Sequence, residues 1–443
     1  LLWLGLCCVF PLTLRGDDEG RPVVTNPRAT SGDSAVEPKW DEKLTITVGN
    51  HAGDLIGNNE KVLQAAVDFV ARFGGGTVKI LPGTYRLRNS IFLASHVRID
   101  GSGADSVLIK EPSVQTTLAA DSDWYDQEIT LADARGFQVG DGVVLRAKNT
   151  DNGGAIVLKR TLVARTGNRF KLDRPLRENL WQMGQPTVTT LFPLISGEFV
   201  SDCVIENITL DGNREQNDHL DGNYGGCIFL QDCNRIQIRQ VEARHNNGDG
   251  ISWQISHDVR VENCHSHDNA DLGLHPGSGS QRPVIRGNRI ERCHIGLFFC
   301  WGVKYGLAEQ NTIDGIRTAG ISIGHRDTDN LVRDNVITNS GVVGILFRPE
   351  RGPSFAGHRN RIERNEIVNS GGESGVGIDI QGGTEAIELI GNRIVEKRDA
   401  ANRIGIRLGA ETRSIKLDGN QIDGVKQPVL DLHVAPTSNG AAR

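Results

Sequence analysis

One pattern governs the second half of the chain: a glycine or other small residue, an apolar residue, any residue, then a second apolar residue. It reads CIFL at 227, GISW at 250, GLHP at 273, GLFF at 296, GISI at 320, GILF at 344, GIDI at 377 and GIRL at 405. The first apolar members, Ile228, Ile251, Leu274, Leu297, Ile321, Ile345, Ile378 and Ile406, lie 23, 23, 23, 24, 24, 33 and 28 residues apart. Periods of this size belong to stacked coils, each of which buries its apolar side only against its neighbours. A second apolar pair follows in each coil (Ile236/Ile238, Val259/Val261, Val284/Ile285, Leu331/Val332), and then an asparagine: Asn263, Asn288, Asn311, Asn335, Asn365, Asn392 and Asn420. Stacked Asn side chains can hydrogen-bond along the stack and tolerate a bent turn. Short β-branched runs without helical periodicity predict a β-solenoid rather than a leucine-rich, helix-containing repeat. With 53 glycines and 15 prolines in 443 residues, the chain needs many tight turns and fits neither collagen nor a disordered linker.

Residues 54–110 supply the other end of the stack. GNNEKVLQAAVDFVARFGGG predicts one amphipathic helix with Val62, Leu63, Ala66, Val67, Phe69 and Val70 as its apolar stripe, stopped at Gly74 to Gly76. Such a helix covers the open end of a solenoid, whose unpaired edge would otherwise recruit other chains. The run from Gln64 to Gly103 (helix, GGGTVKILPGTYRL, a strand pair, GSG) resembles the opening of the pectate lyase and polygalacturonase type of proteins. That resemblance implies an all-β fold: a right-handed, single-stranded parallel β-helix with an N-terminal capping helix.

Residues 112–195 break the period and read as the hairpins of a small inserted β subdomain. Its Trp124, Tyr125 and Trp181 are expected chiefly in the insert's own core, with a sugar platform as the alternative. The expected organisation is a signal segment at 1–16, a polar leader at 17–45, cap and first coils at 46–111, the insert, coils at 196–433 and a tail at 434–443. Leu1 to Leu12 (LLWLGLCCVFPL) has the length of a signal core and is too short to span a bilayer. With Met183 as the lone methionine, the sequence is expected to begin inside an export signal, and the protein to be secreted or periplasmic. Beyond Cys7 and Cys8, the cysteines Cys203, Cys227, Cys233, Cys264, Cys293 and Cys300 follow the repeat and match no zinc spacing. They are expected as small core or turn side chains, with a disulfide open. The balance of 49 Lys+Arg against 55 Asp+Glu, net −6, without basic runs, argues against nucleic acid as partner.

Alternation along each strand points the residue between the two apolar ones outward. This gives a row Phe229, Ser252, His275, Phe298, Ser322, Leu346, Asp379, Arg407 and a second row Gln231, Gln254, Gly277, Cys300, Gly324, Arg348, Gln381, Gly409. Acidic groups and histidines gather around these rows. Asp249 and Asp271 precede successive strands and should lie about one coil, roughly 5 Å, apart along the axis, within the span glycosidase carboxylates use. Asp249, Asp271 and His294 resemble, in order and spacing, the Asn-x-Asp, double-Asp and Gly-His-Gly motifs of polygalacturonases. Here the second is Asp271-Leu272, the third is Cys-His-Ile-Gly, and no Arg-x-Lys follows. Asp before Gly also caps backbone N–H groups in solenoid turns, which is the structural alternative for Asp249.

The expected function is an exported enzyme that cleaves an acidic polysaccharide in an open groove, a glycoside hydrolase acting through Asp249 and Asp271 with His294 and His275 tuning or positioning. Trp301, Tyr305, His325, Arg326, Asp327, Arg348 and Glu350 form the expected substrate-binding patch, Arg holding an acid group and aromatic rings stacking on the sugar. Ion pairing among Arg326, Asp327, Arg348 and Glu350 is the alternative for that patch. Proton abstraction by a lyase or epimerase is the enzymatic alternative, and a non-catalytic glycan-binding solenoid is the other. No metal ligand set is assigned; Ca²⁺ is a candidate ion through several carboxylates of the loop that carries Asp211, Arg214, Asp218, His219 and Asp221, although no EF-hand pattern occurs. A monomer is expected.

Overall fold

The computed structural model describes residues 37–399 and 402–433. The expected signal segment with Cys7 and Cys8, residues 17–36 of the leader and the 434–443 tail lie outside the described residues. Residues 37–45, expected as leader, are already part of the fold. Trp40 is buried, its indole N–H donates to Glu37 at 2.6 Å, and Glu37 pairs with Arg239 at 2.9 Å. The first solenoid strand is Leu44–Gly49.

The capping helix spans Glu60–Arg72, with the Asn59 side chain accepting the Lys61 N–H. Leu63, Ala66, Val67 and Val70 face the core. Phe69 does not: it is 47 % exposed and packs on Phe73 instead, their ring centroids 5.3 Å apart. The apolar stripe is therefore one residue narrower than the sequence pattern implies.

Eleven described strands stack in parallel as one sheet, among them Ile195–Glu198, Ile228–Gln231, Ile251–Gln254, Leu272–Pro276, Ile295–Phe298, Ala319–Ile323 and Val343–Phe347. Their register pairs Phe229 with Ser252, Ser252 with His275, Phe298 with Ser322, Ser322 with Leu346, Leu346 with Asp379, and Asp379 with Arg407. That is the first predicted row. The flanking residues, such as Ile251, Trp253, Leu274, Leu297, Ile321 and Ile345, are fully buried in the shared core.

The remaining coil strands form a second, larger sheet wrapped around the same core. Along it runs a ladder of asparagines. Asn288, Asn311, Asn335, Asn365 and Asn392 each donate both a backbone and a side-chain N–H to the Oδ1 of the next, ending at Asn420. Asn263 stands outside this ladder, exposed at a left-handed φ of 53°, and the Cys264 N–H reaches Asn288 in its place. The six described cysteines are free. Burial pushes the Cys227 and Cys264 thiols up to about 12, which makes them inert packing groups.

Between Gln115–Thr117 and Thr187–Thr190 the insert forms its own six-stranded antiparallel sheet over Phe137, Leu145, Leu162 and Phe170. Trp124 and Tyr125 are not in that core: they are 51 % and 61 % exposed, in edge contact, with the Arg177 guanidinium 5.9 Å from the Trp124 ring. Insert residues Val144, Leu191 and Val157 pack on Leu220 and Tyr224 of the 212–226 loop. Insert and loop together cover the outer row at Phe229 and Ser252, both fully buried.

Candidate functional site

Asp249 lies in the turn before the strand Ile251–Gln254, and His275 lies in the following strand, in register with Ser252. The turn aims the carboxylate up the stack. Asp249 Oδ2 accepts from His275 Nδ1 at 2.8 Å, and Oδ1 accepts the Leu272 N–H at 3.1 Å. Both side chains are buried. Burial holds the Asp249 carboxyl above its ordinary range, and the His275 bond opposes that shift. His275 Nε2 is buried and makes no hydrogen bond, so one ring nitrogen is fixed by a carboxylate while the other stays free to exchange a proton. Phe298 meets the imidazole edge-on at 5.4 Å.

The 212–226 loop closes over this pair. Ser252 Oγ donates to the Gly222 carbonyl at 2.6 Å, and the Leu220 N–H to the Asn247 carbonyl at 2.9 Å. At Gly222 even a methyl group would come within 1.7 Å of Asp249 Oδ2, so only glycine lets the loop seat. Arg146 of the insert binds Asp218 at 2.7 Å and the His219 carbonyl. His219 Nε2 in turn meets Asp271 Oδ2 at 2.6 Å, a bond that holds the imidazolium above its ordinary range. Sequence analysis places His219 only in a candidate calcium loop. Its pairing with Asp271 is not visible there because an irregular loop carries it across two coils.

The five residues of that calcium reading engage different partners. Asp211 binds Arg244, Asp218 binds Arg146, His219 binds Asp271, Asp221 caps the Asn223 N–H, and Arg214 reaches the Asp268 carbonyl. They form no shared cage. His294 is exposed, and its backbone N–H donates to the Asp271 carbonyl at 2.6 Å.

Beyond Phe298 the expected binding patch divides in two. Arg348 is a strut: it stacks on Phe298 at 4.5 Å, donates to Ser322 Oγ and the Phe299 carbonyl, and pairs with Asp327 and Glu350. Asp327 is fully buried, accepts the Val303 and Gly324 N–H groups, and is pushed up to about 6 by burial. Glu350 accepts the His325 N–H at 2.7 Å. These three hold the turns together by ion pairing, while Arg326, the fourth residue of that alternative, reaches the Ser354 carbonyl instead. Tyr305 corrects the expectation: it is 1 % exposed and packs inside, where no sugar can reach it.

The rest forms an aromatic surface. Trp301, 46 % exposed, lies on His325 with centroids 4.4 Å apart, and His325 lies on Phe355 at 5.0 Å. The exposed Arg326 covers Phe355 at 4.1 Å, and the exposed Arg351 lies 5.8 Å from the Trp301 ring. Burial keeps His325 below its ordinary range, and Arg326 and Arg351 set two guanidiniums against the rings. A pyranose face stacks on such rings while an acid group meets the arginines.

Residues 195–355 match the family model described as the right-handed beta helix region. No curated protein matches the chain in sequence. Among solved structures it is similar to the A-module of mannuronan C-5 epimerase AlgE4 from Azotobacter vinelandii, at 16 % identity over 85 % of this chain and 96 % of that one, with a TM-score of 0.51. It is similar to a glycoside hydrolase at 12 % identity over 86 % of this chain and 97 % of that one, also with a TM-score of 0.51. At such identities the likeness is one of fold. The coil register, the capping helix and these matches make the chain a right-handed parallel β-helix protein.

Proposed function

We propose that the chain is an enzyme acting on an acidic polysaccharide by proton transfer through His275. The observation that carries this reading is the Asp249–His275 pair, with Nδ1 held at 2.8 Å by a buried carboxylate and Nε2 free. Asp249 selects the tautomer whose Nε2 lone pair can take a proton, and it stabilises the imidazolium that results. Elimination and epimerisation of a uronate both begin by removing the proton beside its carboxyl group, which needs such a base and a cation for the carboxylate. Arg326 and Arg351 beside the Trp301 stack suit that second role. Substrate reaches Nε2 when the 212–226 loop lifts.

Hydrolysis through Asp249 and Asp271 is the second reading. It is favoured by Asp271, whose nearness adds to burial in raising the proton affinity of Asp249; glycoside hydrolysis requires an acid and a second carboxyl group. The epimerase and the hydrolase named above use the same fold for both chemistries.

The test incubates purified protein, with and without Ca²⁺, with pectic, alginate, sulfated and neutral polysaccharides. Three readouts run in parallel: ultraviolet-absorbing double bonds, new reducing ends, and uronate stereochemistry by NMR. Double bonds or inverted uronates that disappear in His275→Gln support the proposal. New reducing ends without either, lost in Asp249→Asn, mean hydrolysis instead. Glycan binding without any product means a binding solenoid and overturns the enzyme reading.

A further inference from the structure

On the outer face of the larger sheet, away from the covered row, the strand His265–His267 carries two imidazoles on one side. Ser266 between them is fully buried, so alternation turns both histidines outward. The preceding coil lies in register, Glu242 opposite His265 and Arg244 opposite His267, and the following coil sets Glu291 opposite His267. Glu242, His265 and His267 each offer a ligand atom within 4.8 Å of the others.

We propose that Glu242, His265 and His267 form a binding site for a divalent transition-metal ion of the zinc type. The donor set is two imidazoles and one carboxylate, which suits zinc, nickel, cobalt or copper rather than calcium or magnesium. His267 Nε2 stands 3.0 Å from Glu242 Oε1, so a proton now bridges two groups that an ion would bridge. Zinc holds such ligands at about 2.0–2.2 Å, and the present spread closes by side-chain rotation on a rigid ladder.

The surrounding groups are those that metal-binding histidines keep behind them. Asp268 Oδ2 holds His267 Nδ1 at 2.6 Å, Glu291 Oε2 holds His265 Nε2 at 2.9 Å, and Thr209 Oγ donates to Glu242 Oε2 at 2.9 Å. If His265 coordinates through Nδ1, Glu291 orients the ring; if it coordinates through Nε2, Glu291 becomes a fourth ligand.

Arg244, Arg289 and Arg292 touch the same carboxylates. Farther along this face the ladder pairs arginine with acid, as in Arg286 and Arg333 on Glu309. Here three histidines, with His245 5.9 Å from His267, stand among the guanidiniums. An ion at this point ties the Asn234–Arg244 strand to its neighbour one coil on. The linear sequence hides the site because Glu242 and His265 meet only through coil register.

The experiment uses untagged, chelator-stripped full chain. Zn²⁺ is titrated by calorimetry, and Co²⁺ is followed by its visible absorption. One ion per chain, with a Co²⁺ spectrum of a four-coordinate nitrogen-containing site, is the expected result. His267→Gln and, separately, the shape-conserving Glu242→Gln abolish it, Asp268→Asn weakens it by about 10- to 100-fold, and His294→Gln leaves it unchanged. Circular dichroism confirms that each variant is folded. No saturable binding of Zn²⁺, Ni²⁺, Co²⁺ or Cu²⁺, or binding that survives both ligand substitutions, overturns the proposal.

Discussion

Asp249 in one coil holds His275 in the next by a 2.8 Å hydrogen bond, and neither side chain reaches solvent. A buried imidazole whose other ring nitrogen has no partner is costly to keep for structure alone. In Asp249→Asn the amide can present N–H to the ring and favour the opposite tautomer. Turnover is expected to fall by about 10²- to 10⁴-fold with glycan affinity little changed. Steady-state rates beside binding isotherms check this; equal loss of both points to a structural role.

The loop over this pair is fastened by His219 and Asp271, and that fastening depends on pH. Its hydrogen bond to Asp271 raises His219 above the ordinary value of 6.5. A raised base contributes its full stabilisation below 6.5 and loses it as pH climbs through the raised value. Hydrogen exchange at residues 212–226 should therefore speed up in mildly alkaline buffer beyond the intrinsic increase. In Asp271→Asn the exchange should be fast at every pH. An unchanged profile in that variant would show that other contacts hold the loop.

Removing one rung of the asparagine ladder tests what keeps the coils in phase. Asn335 is fully buried; it accepts from Asn311 and donates to Asn365 and to the Ala308 carbonyl. Asn335→Ala strands those groups and should cost on the order of 3 kcal/mol, read as a lower urea midpoint. Asn263→Ala, outside the ladder, should cost little by comparison.

Trp301 offers the opposite contrast. Nearly half exposed and stacked on His325, it can be removed without opening the core. Trp301→Ala is expected to lower glycan affinity by roughly tenfold and to leave the melting temperature almost unchanged. A large loss of stability with intact binding would assign the stack to packing.

The coil phase and the outward rows are legible from residue types because strand alternation has period two and the core accepts only apolar side chains. The same logic brings Asp249 and His275 to one face, yet their bond depends on how a turn aims a carboxylate 26 residues along the chain. Turns carry no periodic signal, and two of the misread residues sit in them: Tyr305 folds inward, and Asn263 lies one position off its ladder. The covering of Phe229 and Ser252 is likewise invisible, since it depends on where an insert comes to rest.

The repeat spacing of 33 between Ile345 and Ile378 departs from the preceding 24 without disturbing the register of either strand. The passage from Phe347 to Arg361 is longer than the equivalent Ile323 to Leu331, and it holds the short helix Pro353–Phe355. From there Phe355 reaches His325 and completes the ring stack. Lengthening a surface turn costs little closure entropy, so a solenoid can acquire new recognition chemistry coil by coil while its core repeat stays constant. Selectivity in such a chain is written in the lengths of its turns: on the proposed glycan-binding reading, exchanging only the 352–357 segment that carries Phe355, with Arg348, Glu350 and Asn360 kept, should change which glycan is held while the strands stay in register.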